Sequence, residues 1–280
     1  MRNLKAHKED FPVSFFIGKK LRPLVEAYYQ AARFADDIAD TPRLAPEQKT
    51  AKLEAVRAAF MQPSAGSDLQ LVRGLGRLFV SERLDSSLYL DLLDAFGQDA
   101  VNKPVRIWEE LIEYCRRSAA PVGRFMLAIH DENPSTALPA ENLCIILQLL
   151  NHLSDIKDDL SLLNRCYIPE KLMQEYGVRK TDLGLSVSRP EVKRLLSEMM
   201  ARIDKMQADA ALLPPLIKNF RLRLNTCVIL SLTNSVIKRH IKSDILQNPP
   251  RPTKIDWAKA CITGFFRALL GKTKQQRHIV

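Results

Sequence analysis

The run Gln148-Leu149-Leu150-Asn151-His152-Leu153-Ser154-Asp155-Ile156-Lys157-Asp158-Asp159 decides how this chain is read. Gln148, Asn151, Asp155 and Asp159 follow one another at steps of three, four and four. On a helix those steps stack the four side chains along one face. Leu149, Leu150, Leu153 and Ile156 fall on the other side, so the helix has an apolar back and a polar front. Solvated faces are usually built from Lys and Glu. Two amides and two aspartates, short chains with few rotamers, are better suited to fixing a ligand. A solvated face remains the competing reading of this stretch taken alone.

A second acidic face lies upstream, in Arg33-Phe34-Ala35-Asp36-Asp37-Ile38-Ala39-Asp40. Asp36 and Asp40 stack at a spacing of four, and Asp37 lies about 100° round the helix. Like charges at that spacing destabilise a bare helix by a few tenths of a kcal/mol. Apolar neighbours make the spot tolerable when a hard cation bridges the oxygens. Magnesium suits such a place, because it takes one or two carboxylates and fills its shell with water and substrate phosphates. Alone, this stretch reads equally as an acidic helix end at the surface. Two such faces on separate long helices outweigh that reading.

Paired acidic helices have a chemical use. A diphosphate leaving group is heavily charged, and ionising an allylic C–O bond adds charge to it. Magnesium held between carboxylates and phosphate oxygens stabilises that departure. The carbocation left behind needs an apolar cavity that keeps water away until the right moment.

The rest of the chain supports an all-α class. Of 280 residues only 10 are glycine, and 46% are hydrophobic, enough for a sizeable core. Amphipathic periodicity predicts helices over 21–40, 47–60, 69–79, 86–98, 108–130, 140–163, 189–212 and 215–242. Pro121 and Gly123 are expected to kink the fifth. The three prolines within 247–252 mark the clearest boundary, giving a domain over 1–243 and an appendage over 244–280. No apolar run reaches the roughly 18 residues of a membrane span. Met1 to Asp10 is charged, without the apolar core of a signal peptide, so a cytoplasmic location is expected. The five cysteines show no zinc-ligand spacing and read as free thiols. The net charge of +10 suits anionic lipid, diphosphate or nucleic acid, and no nucleic-acid motif accompanies it.

These residues resemble the squalene/phytoene synthase family over most of 10–235. Arg33, Asp36 and Asp40 match its Arg followed by DxxxD. Gln148, Asn151, Asp155 and Asp159 match its QxxNxxxDxxxD. Arg165, Tyr167, Ile168 and Pro169 match the R-x-Y-[LIF]-P that follows. Tyr114 to Gly123 resembles its Y-x-x-x-x-A-x-x-V-G segment. The resemblance implies an isoprenoid-synthase-type helical bundle with a central cavity and a prenyl diphosphate substrate. It implies that Asp36, Asp40, Asp155 and Asp159 hold Mg2+. It places Arg33, Arg165 and Tyr167 on the diphosphate, Gln148 and Asn151 in the site wall, and Tyr114 at the reacting centre. Ser14 falls where the family has an N-terminal phosphate-contacting segment.

The segments Glu9 to Val13 and Arg117 to Arg124 resemble the bacterial hydroxysqualene-forming branch of hopanoid pathways. That branch takes presqualene diphosphate, adds water and needs no reductant, which implies pairing with a presqualene diphosphate synthase. Ser154 stands where many family members carry Arg, which sets the first condensation step in doubt; Lys157 could compensate only from a different helix angle. The alternatives are head-to-head transfer on farnesyl or geranylgeranyl diphosphate, and a non-catalytic membrane-binding protein. His152 is expected to pack or face solvent. Trp257, Ala258, Cys261, Ile262, Phe265, Phe266, Leu269 and Leu270 form one apolar stripe with basic flanks. That stripe reads equally as an interfacial membrane helix, on the inner membrane face, or as a last helix docked on the domain.

Overall fold

The computed structural model describes residues 17–275, with side chains to 270, and among them there are helices and no strands. The helices are α1 (Arg22–Asp40), α2 (Pro46–Met61), α3 (Gln70–Ser81), α4 (Ser87–Ala100), α5 (Trp108–Ser118), α6 (Ala120–Ile129), α7 (Ala137–Leu163), α8 (Glu170–Glu175), α9 (Pro190–Ala210), α10 (Leu213–Leu216), α11 (Phe220–His240) and α12 (Lys254–Gln275). None is long and apolar enough to cross a membrane.

α1 packs on α2, α3 and α4, while α7 packs on α5, α6 and α9, and α9 in turn meets α11. Each acidic helix therefore has its apolar back against a separate set of partners. α1 buries Leu24, Val25, Tyr28, Ala31, Ala35 and Ala39, and α7 buries Leu149, Leu150, Leu153 and Ile156 among others. The small alanines of α1 let neighbouring helices approach closely. Their burial removes apolar surface from water at about 25 cal/mol per Å². The polar fronts of both helices are left for the cavity between them.

Two expected helices are interrupted. The span 108–130 is two helices rather than one kinked helix, broken at Ala119, whose backbone (φ −129°, ψ −40°) leaves the helical region. Pro121 then opens α6 in its first turn, where its missing N–H costs nothing. α6 closes tightly on α7: a Cβ on Gly123 would lie 2.6 Å from Cys144 Sγ. The span 215–242 is likewise divided. Asn219 accepts hydrogen bonds from the N–H groups of Arg221 and Leu222 and so starts α11 at Phe220.

The C-terminal segment is fastened to the body. Asp244 accepts from the N–H and Oγ of Ser188, and Ile245 and Leu246 are buried. α12 lies along α11 through Ala260, Gly264 and Ala268, a small-residue edge. A Cβ on Gly264 would meet Val228 Cγ2 at 2.7 Å and its backbone N at 3.0 Å, so the two helices touch backbone to backbone. Arg239 of α11 bonds Asp256 near the start of α12. The helix thus docks, with Trp257 at its start packed against the core, yet most of the large residues of the apolar stripe take no part. Ile262, Phe265, Phe266, Leu269 and Leu270 remain exposed.

Candidate active site

One cavity of about 690 Å³ opens between α1, α4, α5, α6 and α7. Ten residues singled out in the sequence line it. Arg33, Asp36 and Asp40 come from α1, Tyr114 from α5, and Gln148, Asn151, Asp155 and Asp159 from α7. Arg165 and Tyr167 also line it, from the segment just after α7. Their return to the cavity has a local cause. Asn164 ends α7 in the left-handed conformation (φ 52°), and the Arg165 N–H donates back to the Asp159 carbonyl at 3.0 Å. Ser14 lies outside the described residues.

One end of the cavity is strongly charged. Arg33 pairs with Asp36 at 3.0 Å and Asp37 at 3.1 Å, Arg165 with Asp40 at 2.8 Å, and Arg251 with Asp155 at 2.6 Å. The cations do not balance the acids. Burial and the neighbouring Asp40 push Asp36 up to about 8. Burial and Asp155 push Asp159 up to about 7. Burial weighs most in both shifts and the acidic neighbour next, so a cation shared by the paired carboxylates would favour their ionised forms.

The donor set fits Mg2+. Every donor is a hard oxygen, supplied as one pair on each of two helices. No group of three His, Cys, Asp or Glu side chains poised for a metal occurs among the described residues. With one carboxylate pair on each helix, a magnesium ion held there would take the rest of its shell from water and phosphate oxygens.

The other end is apolar. Tyr28 stacks on Phe125 at 4.0 Å, and Phe79 stacks beyond it at 6.1 Å from Phe125. Leu92, Phe96, Val122 and Met126 complete that wall. The Tyr28 hydroxyl turns outward to donate to the Leu88 carbonyl at 2.6 Å, so it presents ring rather than oxygen.

Between the two ends sits a polar cluster that the sequence did not reveal. Asp99, in the last turn of α4, is buried and accepts from the Tyr114 hydroxyl at 2.7 Å and the Tyr167 hydroxyl at 2.9 Å. Arg165 Nη2 donates to the Asp99 carbonyl at 3.2 Å. Burial raises Asp99 to about 6, against the opposing pull of Arg165 and the two hydroxyls. Burial, with Asp99 alongside, lifts both phenols well above their usual range, so they stay protonated.

His152 packs, as one of its two expected placements had it, and its packing partners are the tyrosines of this cluster. It lines the cavity, is 6% exposed and stacks on Tyr167 at 3.7 Å. Burial, with Arg165 near, drops its pKa to about 3, so the imidazole is neutral at physiological pH.

The position before Asp155 carries no cation. Ser154 is buried and donates to the Asn151 carbonyl at 2.9 Å. Lys157 does not compensate, because its ammonium is spent on the Leu246 carbonyl at 2.6 Å. The positive charge beside Asp155 comes from Arg251 instead. Asp99, His152 and Arg251 have no spacing signature, since their partners lie far away in sequence.

Comparison with known proteins bears on the family and the fold. The family model described as squalene/phytoene synthase matches residues 4–254. A hydroxysqualene synthase of Rhodopseudomonas palustris is 35% identical over 240 residues, which is 85% of this chain and 82% of the relative. One from Zymomonas mobilis is 33% identical over 246 residues, covering 86% and 82%. Among solved structures, squalene synthase HpnC from Alicyclobacillus acidocaldarius superposes with a TM-score of 0.72 at 25% identity, over 86% of this chain and 89% of that one. A dehydrosqualene synthase solved with a ligand shares the fold, with a TM-score of 0.73 at 20% identity over 97% and 93%. With its acidic helices facing one cavity in an all-helical isoprenoid-synthase fold, this chain belongs to the squalene/phytoene synthase family.

Proposed function

We propose that the chain is a magnesium-dependent hydroxysqualene synthase, a lyase-type enzyme that converts presqualene diphosphate and water to hydroxysqualene and diphosphate. One observation carries the reading. A single cavity joins an end lined by four aspartates and three arginines to an end walled by aromatic and aliphatic side chains. That polarity fits a molecule with a diphosphate head and a long hydrocarbon body.

Asp36, Asp40, Asp155 and Asp159 would hold the magnesium, which supplies electrostatic stabilisation of the departing diphosphate. Arg33, Arg165 and Arg251 orient the phosphate oxygens by charge-assisted hydrogen bonds. Gln148 and Asn151 offer amides between the charged wall and the hydrocarbon. Tyr28 and Phe125, which line the cavity, exclude bulk water and present aromatic surface to a developing cation. Tyr114 stands at the reacting centre, held by Asp99. The similarity to named hydroxysqualene synthases supports the water-adding reaction over head-to-head transfer on farnesyl diphosphate. The uncharged Ser154 supports the same choice. Such an enzyme works beside a presqualene diphosphate synthase that supplies its substrate.

The exposed stripe of α12 supports peripheral contact with an anionic membrane from the cytoplasmic side. Phe265 and Phe266 lie on a face flanked by exposed Lys254, Lys259 and Arg267. Flotation with anionic vesicles should carry the protein up. Phe265→Ser with Phe266→Ser should leave it at the bottom.

Release of inorganic diphosphate from presqualene diphosphate tests the catalytic reading. The release should need Mg2+ and should vanish in Asp36→Asn and Asp155→Asn, with helical circular dichroism unchanged. Full release in either variant would contradict the metal assignment.

A further inference from the structure

We propose that His152 positions the water that ends the reaction, accepting one of its protons at Nε2 as the water oxygen attacks the carbocation. The inference rests on the hydroxysqualene reading above and names the residue that makes the product an alcohol.

Three observations converge on it. Nε2 of His152 is buried and has no hydrogen-bond partner among the described residues, although the side chain stands in the cavity wall. Buried polar atoms are nearly always paired, and an exception at a site wall calls for a partner that arrives with the reaction. The ring is also held in place, stacked on Tyr167 at 3.7 Å and tilted against Tyr114 at 5.6 Å.

Its location is the second point. The Tyr167 hydroxyl lies 3.4 Å from Arg165 Nη1, which itself bonds Asp40. The imidazole therefore sits one side chain away from the charged end, in the wall of the same cavity. A cation formed where the diphosphate leaves is formed near it.

The third point is that its neighbours are committed elsewhere. Both tyrosine hydroxyls donate to Asp99. Arg165 is a donor alone and cannot accept a proton from water. In the middle section of the cavity, His152 supplies the neutral nitrogen acceptor.

The step balances without a further reagent. A lone pair of the water oxygen forms the new C–O bond, and one O–H bond breaks as its proton moves to Nε2. The imidazolium then gives that proton to the departed diphosphate, a stronger base. No electrons change hands. Denied this water, the cation instead loses a proton from a neighbouring carbon and becomes a hydrocarbon with one more double bond.

The test is the alcohol-to-hydrocarbon ratio from presqualene diphosphate and Mg2+ in H2(18)O, without reductant. The ratio does not depend on the overall rate. Wild type should give an 18O-labelled alcohol. His152→Phe keeps an aromatic ring to stack on Tyr167 and removes the acceptor, and its ratio should fall by about tenfold or more, the scale of one lost hydrogen bond to the attacking water. His152→Gln should recover part of it. Should His152→Phe fail to fold, His152→Leu reads the same ratio. An unchanged ratio in a folded variant, with labelled alcohol from wild type, overturns this inference alone. No alcohol from wild type overturns the hydroxysqualene reading and this inference with it.

Discussion

Arg251 donates to the carboxylate of Asp155 at 2.6 Å, joining the segment before α12 to the acidic face of α7 across 96 residues. The guanidinium stands where a divalent cation at Asp155 would place its own charge. A half-exposed ion pair of this kind contributes up to about 1 kcal/mol. Arg251→Ala should therefore lower the Mg2+ concentration for half-saturation of the substrate-free protein by roughly fivefold, within that energy scale. Calorimetric titration measures it. A half-saturation point that rises would show that Arg251 does not compete for the site.

Acid crowding gives the metal-free protein a pH signature. Asp36, Asp159 and Asp99 have folded values of about 8, 7 and 6, all above the ordinary carboxylate value. Between the ordinary and the raised values the folded state binds more protons than the unfolded state, so stability falls as pH rises. The melting temperature without metal should decline from about pH 5 to pH 8 and then level off. Added Mg2+ should restore stability most at the alkaline end, because it favours the ionised carboxylates. Asp36→Asn should flatten the metal-free decline. A melting temperature that climbs across this range would contradict the assigned crowding.

Asp99 is the hub for Tyr114, Tyr167 and Arg165. Asp99→Leu removes the acceptor of two buried hydroxyls and a neighbouring charge from a buried guanidinium. Losing one member of such a buried set costs about 3–5 kcal/mol. Denaturant unfolding should show a loss of that order, and Asp99→Asn, which still accepts hydrogen bonds, a smaller one. A change under about 0.5 kcal/mol for Asp99→Leu, the scale of an ordinary surface substitution, would remove Asp99 from the framework.

The acidic faces were legible because each is written into one helix. Spacings of three and four fix which side chains share a face before any tertiary contact forms, so Asp36, Asp40, Asp155 and Asp159 announce themselves. Arg165 and Tyr167 were legible through the motif that follows α7. Asp99, His152 and Arg251 were not. Asp99 meets Tyr167 across 68 residues. His152 lies one position off the acidic face, and nothing local separates a cavity histidine from a packed one. The break at Ala119 was blurred for another reason, since Pro121 suits both a kinked helix and the first turn of a new one. In α12 the eye follows the large apolar residues, whereas beyond Trp257 the contact is made by Ala260, Gly264 and Ala268.

That contact makes its own prediction. A Cβ on Gly264 collides with the Val228 side chain and with the backbone of α11, which cannot swing aside. Gly264→Ala should destabilise the protein by about 1–3 kcal/mol, the usual cost of overpacking. Limited proteolysis should cut first in 244–253. Protection equal to wild type would show that α12 is not seated on α11 as described.

Product identity tests the central claim most directly. Purified protein with Mg2+ and presqualene diphosphate, without a nicotinamide reductant, is compared by mass spectrometry with a parallel reaction on farnesyl diphosphate. Hydroxysqualene from presqualene diphosphate, with nothing formed from farnesyl diphosphate, is the predicted result. Presqualene diphosphate or a coupled hydrocarbon formed from farnesyl diphosphate would contradict it and make the chain a condensing synthase.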